Sequence, residues 1–285
     1  MALLSKNSNL YLTLVRLRRN KLALFGLFIM VLLFLTAMLA PLIAPQHYAT
    51  QDLAASFEPP SWEYPLGTDD FGRDILSRII YGAQVSLQVG IFAVTIAMLT
   101  GGVLGAIAGY YGGRVDNVIM RFMDVLLSIP QILLAIAIAA ALGPGLLNLT
   151  IAVSIAALPT FARVVRGAVL SIVGMEYIEA AHCMGASDAW IIARHILPNC
   201  SAPIIVQSTL RVAHAILTAA SLSFLGLGIQ PPFPEWGGML AAARGYVRDY
   251  SYMTIFPGLA IMITIMALNF LGDGLRDAMD PKLKR

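Results

Sequence analysis

Five stretches of the chain, positions 22–51, 79–113, 125–162, 212–234 and 250–272, contain no Asp, Glu, Lys or Arg. A helix needs about 20 apolar residues to cross the hydrocarbon core of a bilayer, so four of these runs predict one span each. The run 125–162 is too long for a single span, and Gly143-Pro144-Gly145 near its middle is a turn, so it predicts two. The pattern therefore predicts an all-α integral membrane protein with six spans, at about 22–44, 84–110, 117–141, 146–167, 203–228 and 252–274. The first apolar run, Leu22 to Ala40, exceeds a signal-peptide core and lacks a small-x-small site before Pro41, which reads as a retained span.

Lys and Arg fix the orientation, because cytoplasmic loops hold an excess of them. Placing the N-terminus inside leaves fourteen on that side and four (Arg73, Arg78, Arg244, Arg248) outside, with Arg211 inside the fifth span. Both termini are then cytoplasmic. The organisation expected is a cytoplasmic segment 1–21, a first span 22–44, an external loop 45–83, a five-helix core 84–274 with a cytoplasmic loop at 168–202, and a tail 275–285. Within the external loop, Gly67-Thr68-Asp69-Asp70 leads into a short helix from Arg73 to Tyr81.

Composition excludes a soluble globule: 58% of residues are apolar, 12% are charged and the mean hydropathy is +0.77. A net charge of +3 with no basic patch interleaved with aromatics excludes a nucleic-acid partner. Cys183 and Cys200 are the two cysteines, which excludes a disulfide framework, and with His182 and His195 they match no zinc spacing, so no metal site is expected. The chain has no Gly-x-x-x-x-Gly-Lys-Ser/Thr phosphate loop, no His-Glu-x-x-His and no Gly-x-Ser-x-Gly, which leaves it without catalytic residues or a nucleotide of its own.

Four features within and between the apolar runs carry further expectations. Gly101, Gly105 and Gly109 recur every fourth residue, giving one helix face without side chains for close packing. Asp124, three residues after Arg121, reads as half of a local ion pair rather than a proton relay. Arg211 and His214 share one face of the fifth span, and two readings stand for them. They line a translocation path, or Arg211 snorkels to the interface or pairs with a carboxylate such as Asp124. Asp69, Asp70 and Trp236 are expected on the external face, the acids on a solvated rim and Trp236 as an interfacial anchor.

The long cytoplasmic loop holds Glu179-Ala180-Ala181, then Gly185, then Ile196-Leu197-Pro198. Glu176 to Met184 predicts a short amphipathic helix that Gly185 ends, with Pro198 opening the next. By spacing alone this is either a docking element or a surface helix. The residues resemble the Glu-Ala-Ala loop of permease subunits of ABC importers, although Ile-Leu-Pro here lacks the residue that often separates Ile from Leu. The likeness extends over about residues 20–285, through Leu66-Gly67-Thr68-Asp69, Gly72-Arg73-Asp74, Phe224-Leu225-Gly226-Leu227-Gly228, Pro234-Glu235-Trp236-Gly237 and Gly272-Asp273-Gly274. It is to the dipeptide, oligopeptide and nickel permease family, in particular its second, C-type subunit.

That resemblance implies a type I importer permease fold in the bacterial inner membrane, with Glu179, Ala180, Ala181, Gly185 and Pro198 coupling to the ATPase. It implies a homologous second permease, two cytoplasmic ATPase subunits that hold ATP and Mg, and a periplasmic solute-binding protein. Peptide is the expected cargo, with nickel and opines as alternatives by the same mechanism. A stand-alone secondary transporter would keep ionisable groups near mid-membrane, and apart from Arg211 and His214 the spans have almost none. An intramembrane enzyme would need a polar cluster at depth, which the sequence does not show.

Overall fold

The computed structural model describes residue 13 and residues 15–279, so the predicted segment 1–21 and tail 275–285 fall partly outside the described residues. Helix α1 spans Lys21–Met38 and opens with the Asn20 carboxamide accepting from the Ala23 amide at 3.1 Å. A further turn, Ala40–Ile43, carries the chain to an extended segment. The next long helix, α2, is Ile75–Tyr111. At 1.5 Å per residue it is about 55 Å long, more than a bilayer core requires.

Helix α2 contains the predicted span 84–110 and merges it with most of the predicted short helix 73–81. Arg78 does not end the apolar helix because its charge is neutralised inside the protein, as described below, and Asp74 caps α2 by accepting from the Ser77 amide at 2.8 Å. The helix thus begins nine residues before the predicted span.

The predicted span 117–141 is not one helix. Helix α3 (Gly113–Leu127) and helix α4 (Gln131–Leu142) meet at 87°. Pro130, which has no N–H to continue α3, occupies the cap of α4. Helix α3 is amphipathic, with Arg114, Asp116, Arg121 and Asp124 among its fifteen residues, whereas α4 is apolar after its first residue, Gln131. The Gly143-Pro144-Gly145 turn then leads into α5 (Leu146–Leu170).

Beyond α5 come the short helix α6 (Glu176–Cys183), a turn at Asp188–Ile191, a turn of π-helix at Ile192–Ile196 and Leu197–Asn199, in which Pro198 sits at the start. Helix α7 is Ser201–Phe224, α8 is Trp236–Ala243 and α9 is Tyr252–Met279. Among the described residues, five helices (α1, α2, α5, α7, α9) are long and apolar enough to cross a membrane, and a sixth span arises if the bent α3–α4 pair counts as one.

Helix α2 is the central element, packed along α5 on one side and against α1 and α7 on others. Gly101, Gly105 and Gly109 form the seam with α5, as their spacing predicted. A Cβ on Gly105 would sit 2.3 Å from the Ala162 carbonyl oxygen, and one on Gly101 would sit 2.5 Å from that of Leu158. Two apolar cores flank α2. One joins it to α4, α5 and α7 through Val89, Leu149, Phe161 and Leu222, and the other joins it to α1, α7, α8 and α9 through Met30, Ile216, Trp236 and Leu268. The end of the bundle that carries segment 44–74 is called upper here, and the end that carries segment 171–200 lower.

Candidate functional site

At the lower end, α6 lies on the bundle by one face. Ile178 and Ala181 are buried with Ile191, Ile196 and Cys200 against Val165, Val169 and Ile172 at the end of α5 and Ala106 of α2. Glu176, Tyr177, Glu179, Ala180, Cys183 and Met184 are exposed, so the Glu-Ala-Ala triplet is divided. Ala181 seats the helix, and Glu179 and Ala180 face outward.

The helix stops by a mechanism readable in the sequence. Gly185 is in the left-handed region at φ +79°, its amide donates to the His182 carbonyl at 2.9 Å, and the Ala186 amide donates to the Ala181 carbonyl at 3.1 Å. These two bonds satisfy carbonyls that the helix end leaves free, and the φ value favours glycine.

A polar clasp joins α6 to the bundle. The Tyr110 hydroxyl, one residue from the end of α2, donates to Asp188 Oδ1 at 2.8 Å and stands 3.1 Å from His182 Nε2. Since the hydroxyl proton goes to Asp188, the phenol oxygen accepts from His182 when that ring carries its proton on Nε2. Nothing in the neighbouring sequence marks Tyr110 as having a partner 78 positions away.

Two ion pairs tie α3 to α5. Arg166 Nε and Nη2 donate to Asp116 Oδ1 and Oδ2, each at 2.5 Å, and Arg163 Nη2 meets Asp124 Oδ1 at 2.6 Å. The second pair overturns the expected Asp124–Arg121 pair. Helix α3 turns Asp124 toward α5, where Arg163 offers a charge-assisted bond. Of His182, Cys183, His195 and Cys200, His182 joins the clasp, His195 packs edge-on to Trp190 at 4.9 Å, and both cysteines are free.

Arg211 and His214 do share a face of α7, with Arg211 half-buried and His214 exposed. Arg211 Nη1 lies 3.5 Å from Gln131 Oε1, a long contact with the first residue of α4. Pairing with Asp124 is excluded, because Asp124 is taken by Arg163 and none of the described ion pairs includes Arg211.

At the upper end, Asp69 is buried rather than on a wet rim. Its Oδ2 accepts from Arg73 Nε at 2.6 Å and lies 3.6 Å from Arg78 Nε, while its Oδ1 accepts from the Phe71 and Arg73 amides at 2.9 and 3.0 Å. Arg78 also donates to the Tyr48 carbonyl at 3.1 Å, stitching segment 44–74 to α2. Asp70 is half-buried, and burial together with neighbouring Asp69 pushes its carboxyl up.

Trp236 is no interfacial anchor. It is 1% exposed, lies against Gly82 of α2, and donates from Nε1 to the Ile79 carbonyl at 3.1 Å. Glu235, whose carboxylate accepts from the Gly237 and Gly238 amides at 3.0 and 2.7 Å, caps α8 and is itself buried. Burial pushes its carboxyl up.

With this geometry in view, the chain belongs to the family of binding-protein-dependent transport system inner membrane components, whose model matches residues 101–285. Residues 8–60 match a second model, the N-terminal TM domain of oligopeptide transport permease C. The chain is thus an integral, multi-pass component of the inner membrane with the helical fold of an ABC importer permease. Among its relatives, the dipeptide transport system permease protein DppC of Alkalihalophilus pseudofirmus is 51% identical, over 94% of this chain and 88% of that protein. The di/tripeptide permease DppC of Pseudomonas aeruginosa is 47% identical over 93% and 89%. The glutathione permease GsiD of Pectobacterium atrosepticum is 48% identical over 94% and 89%. An inward-facing structure of the MetNI methionine ABC transporter shares the fold at a TM-score of 0.57 and 19% identity, covering 71% of this chain and 96% of that one.

Proposed function

We propose that this chain is the C-type permease subunit of an ATP-driven peptide importer. It works with a homologous second permease, two cytoplasmic ATPase subunits that bind ATP and Mg, and a periplasmic binding protein that delivers di- or oligopeptides. The chain itself performs no covalent chemistry. The observation that carries the reading is α6, a short helix seated by Ile178 and Ala181 with Glu179 and Ala180 turned outward at the lower end. A surface helix with no partner has no need of the clasp to Tyr110 and Asp188 that fixes its position. The relatives of known cargo support peptide over nickel or opine.

In this reading Glu179, Ala180, Ala181, Gly185 and Pro198 form the coupling element, and movement of the ATPase pair reaches the spans through α2 and α5. Arg211 and His214 border the translocation path, where Arg211, without a carboxylate of its own, gives cargo carboxylates a weak transient contact. The test is uptake by proteoliposomes holding the full complex. ATP-dependent accumulation of a labelled dipeptide or tripeptide is expected, with no accumulation of nickel. Arg211→Gln is expected to lower uptake with assembly intact, and accumulation of nickel alone would overturn the peptide reading.

A further inference from the structure

Gln84 and Gln88 stand one helical turn apart on α2, inside the uncharged run 79–113. Gln88 is exposed and Gln84 half-buried, and among the described residues neither side chain makes a hydrogen bond. An unpartnered carboxamide facing hydrocarbon carries a large penalty, so this face of α2 borders water or a polar occupant rather than lipid.

Both side chains line a cavity of about 450 Å³ at the upper end, closed by the 144–146 turn and the 229–234 segment. The volume is that of a small-molecule site. Gln230 adds a third carboxamide, whose nitrogen donates to the Gly226 carbonyl at 3.2 Å and whose oxygen remains an acceptor. Tyr48, Tyr81 and Phe233 form the aromatic wall, with Tyr48 5.1 Å from Tyr81 and 6.2 Å from Phe233, centroid to centroid. Among the described residues, no Asp, Glu, Lys, Arg or His lines the cavity.

A carboxamide offers the same donor and acceptor as a peptide group, so three of them beside aromatic faces match a peptide backbone and its apolar side chains. Without a fixed charge the site selects neither acidic nor basic side chains, and neutral hydrogen bonds hold the ligand weakly enough to let it pass. We propose that this cavity is a low-affinity transit site, in which Gln84 and Gln88 hydrogen-bond the backbone amides of a peptide entering from the upper end. The proposal rests on the peptide-import reading and adds the residues that read the backbone.

The test compares a tripeptide with its analogue N-methylated at the first peptide bond, in proteoliposomes of the assembled complex. Wild type is expected to show an apparent KM about fivefold higher for the methylated analogue, since methylation removes one N–H donor and with it one neutral hydrogen bond. In Gln84→Leu/Gln88→Leu that ratio is expected to fall to about one, while Gln88→Asn, which keeps an amide, retains part of it. Co-purification of the partner subunits reports assembly. An undiminished ratio in the double variant overturns the transit site. So does failure of Gln88→Cys in the assembled complex to react with a water-borne thiol reagent, which would mean that a partner subunit fills the cavity. Wild type that imports neither peptide refutes the peptide reading itself, and the transit site with it.

Discussion

Tyr110 and Asp188 are joined by a hydrogen bond of 2.8 Å that runs from the lower end of α2 to the turn after α6. Because α2 also contacts α1, α5 and α7, the bond connects the coupling element to the centre of the bundle. Tyr110→Phe removes only the hydroxyl. At a partly exposed site the loss is about 1 kcal/mol, which leaves folding intact but loosens the element. Peptide transported per ATP hydrolysed is expected to fall several-fold, and an unchanged ratio would show the clasp to be passive.

Gly185 offers a separate test of the coupling element. A Cβ there meets nothing within 4 Å, so Gly185→Ala strains the backbone at φ +79° without a clash, at a cost of about 1 to 2 kcal/mol. Coupling is expected to weaken modestly with Ala, less with Asn, and to be lost with Trp. A loss with Trp beyond the backbone strain that Ala already reports is expected from a contact outside the chain, since a Cβ at this position meets no described atom within 4 Å. Normal uptake by Gly185→Trp would remove α6 from the ATPase interface.

The seam between α2 and α5 predicts a contrast between two neighbouring glycines. Gly105→Ala drives a Cβ to 2.3 Å from backbone, whereas Gly102→Ala reaches only Val165 Cγ2 at 3.8 Å. Thermal denaturation in detergent is expected to show Gly105→Ala strongly destabilised, by overpacking of about 1–3 kcal/mol or more, and Gly102→Ala close to wild type.

Membrane topology follows from two exposed side chains at opposite ends. Trp62 is 104% exposed in segment 44–74, and native Cys183 is exposed on α6. Trp62→Cys is expected to react with an impermeant thiol reagent in intact spheroplasts, while Cys183 reacts only after permeabilisation. The reverse pattern would invert the orientation. Trp62 is a better reporter than Asp70, whose Oδ1 is buried within 3.7 Å of Arg73.

Buried Glu235 makes stability depend on pH. Its carboxyl is raised in the folded state, so the fold favours the neutral form. That contribution is complete below the unfolded value of about 4.3 and is lost as pH rises through the folded value. Glu235→Gln does not titrate and keeps an acceptor oxygen for one of the two amides, which in wild type donate to separate oxygens of Glu235. Wild type is expected to lose thermal stability relative to this variant as pH is raised above about 4, and a gain on raising pH would contradict the assignment.

The sequence by itself determined which segments are apolar enough to span a bilayer, where the Gly143-Pro144-Gly145 turn divides a run, and where Gly185 ends α6. Each depends on residues near one another in the chain: apolar length, proline's missing donor, glycine's access to positive φ. It also indicated the helix-packing face at Gly101, Gly105 and Gly109, because a repeat of four on a helix is a local geometric fact. Only the tertiary structure decided what each charge does. Arg78 read as the edge of a span, yet Asp69 neutralises it within the protein and α2 runs on to Ile75. Asp124 had Arg121 within reach along its own helix, but Arg163 of α5, 39 positions later, holds it instead. Trp236 had the composition of an anchor and became a core residue when Gly82 left room for its ring. A charge or an indole is satisfied by whichever partner the packed helices bring within about 3 Å, and that choice is not written in the neighbouring residues.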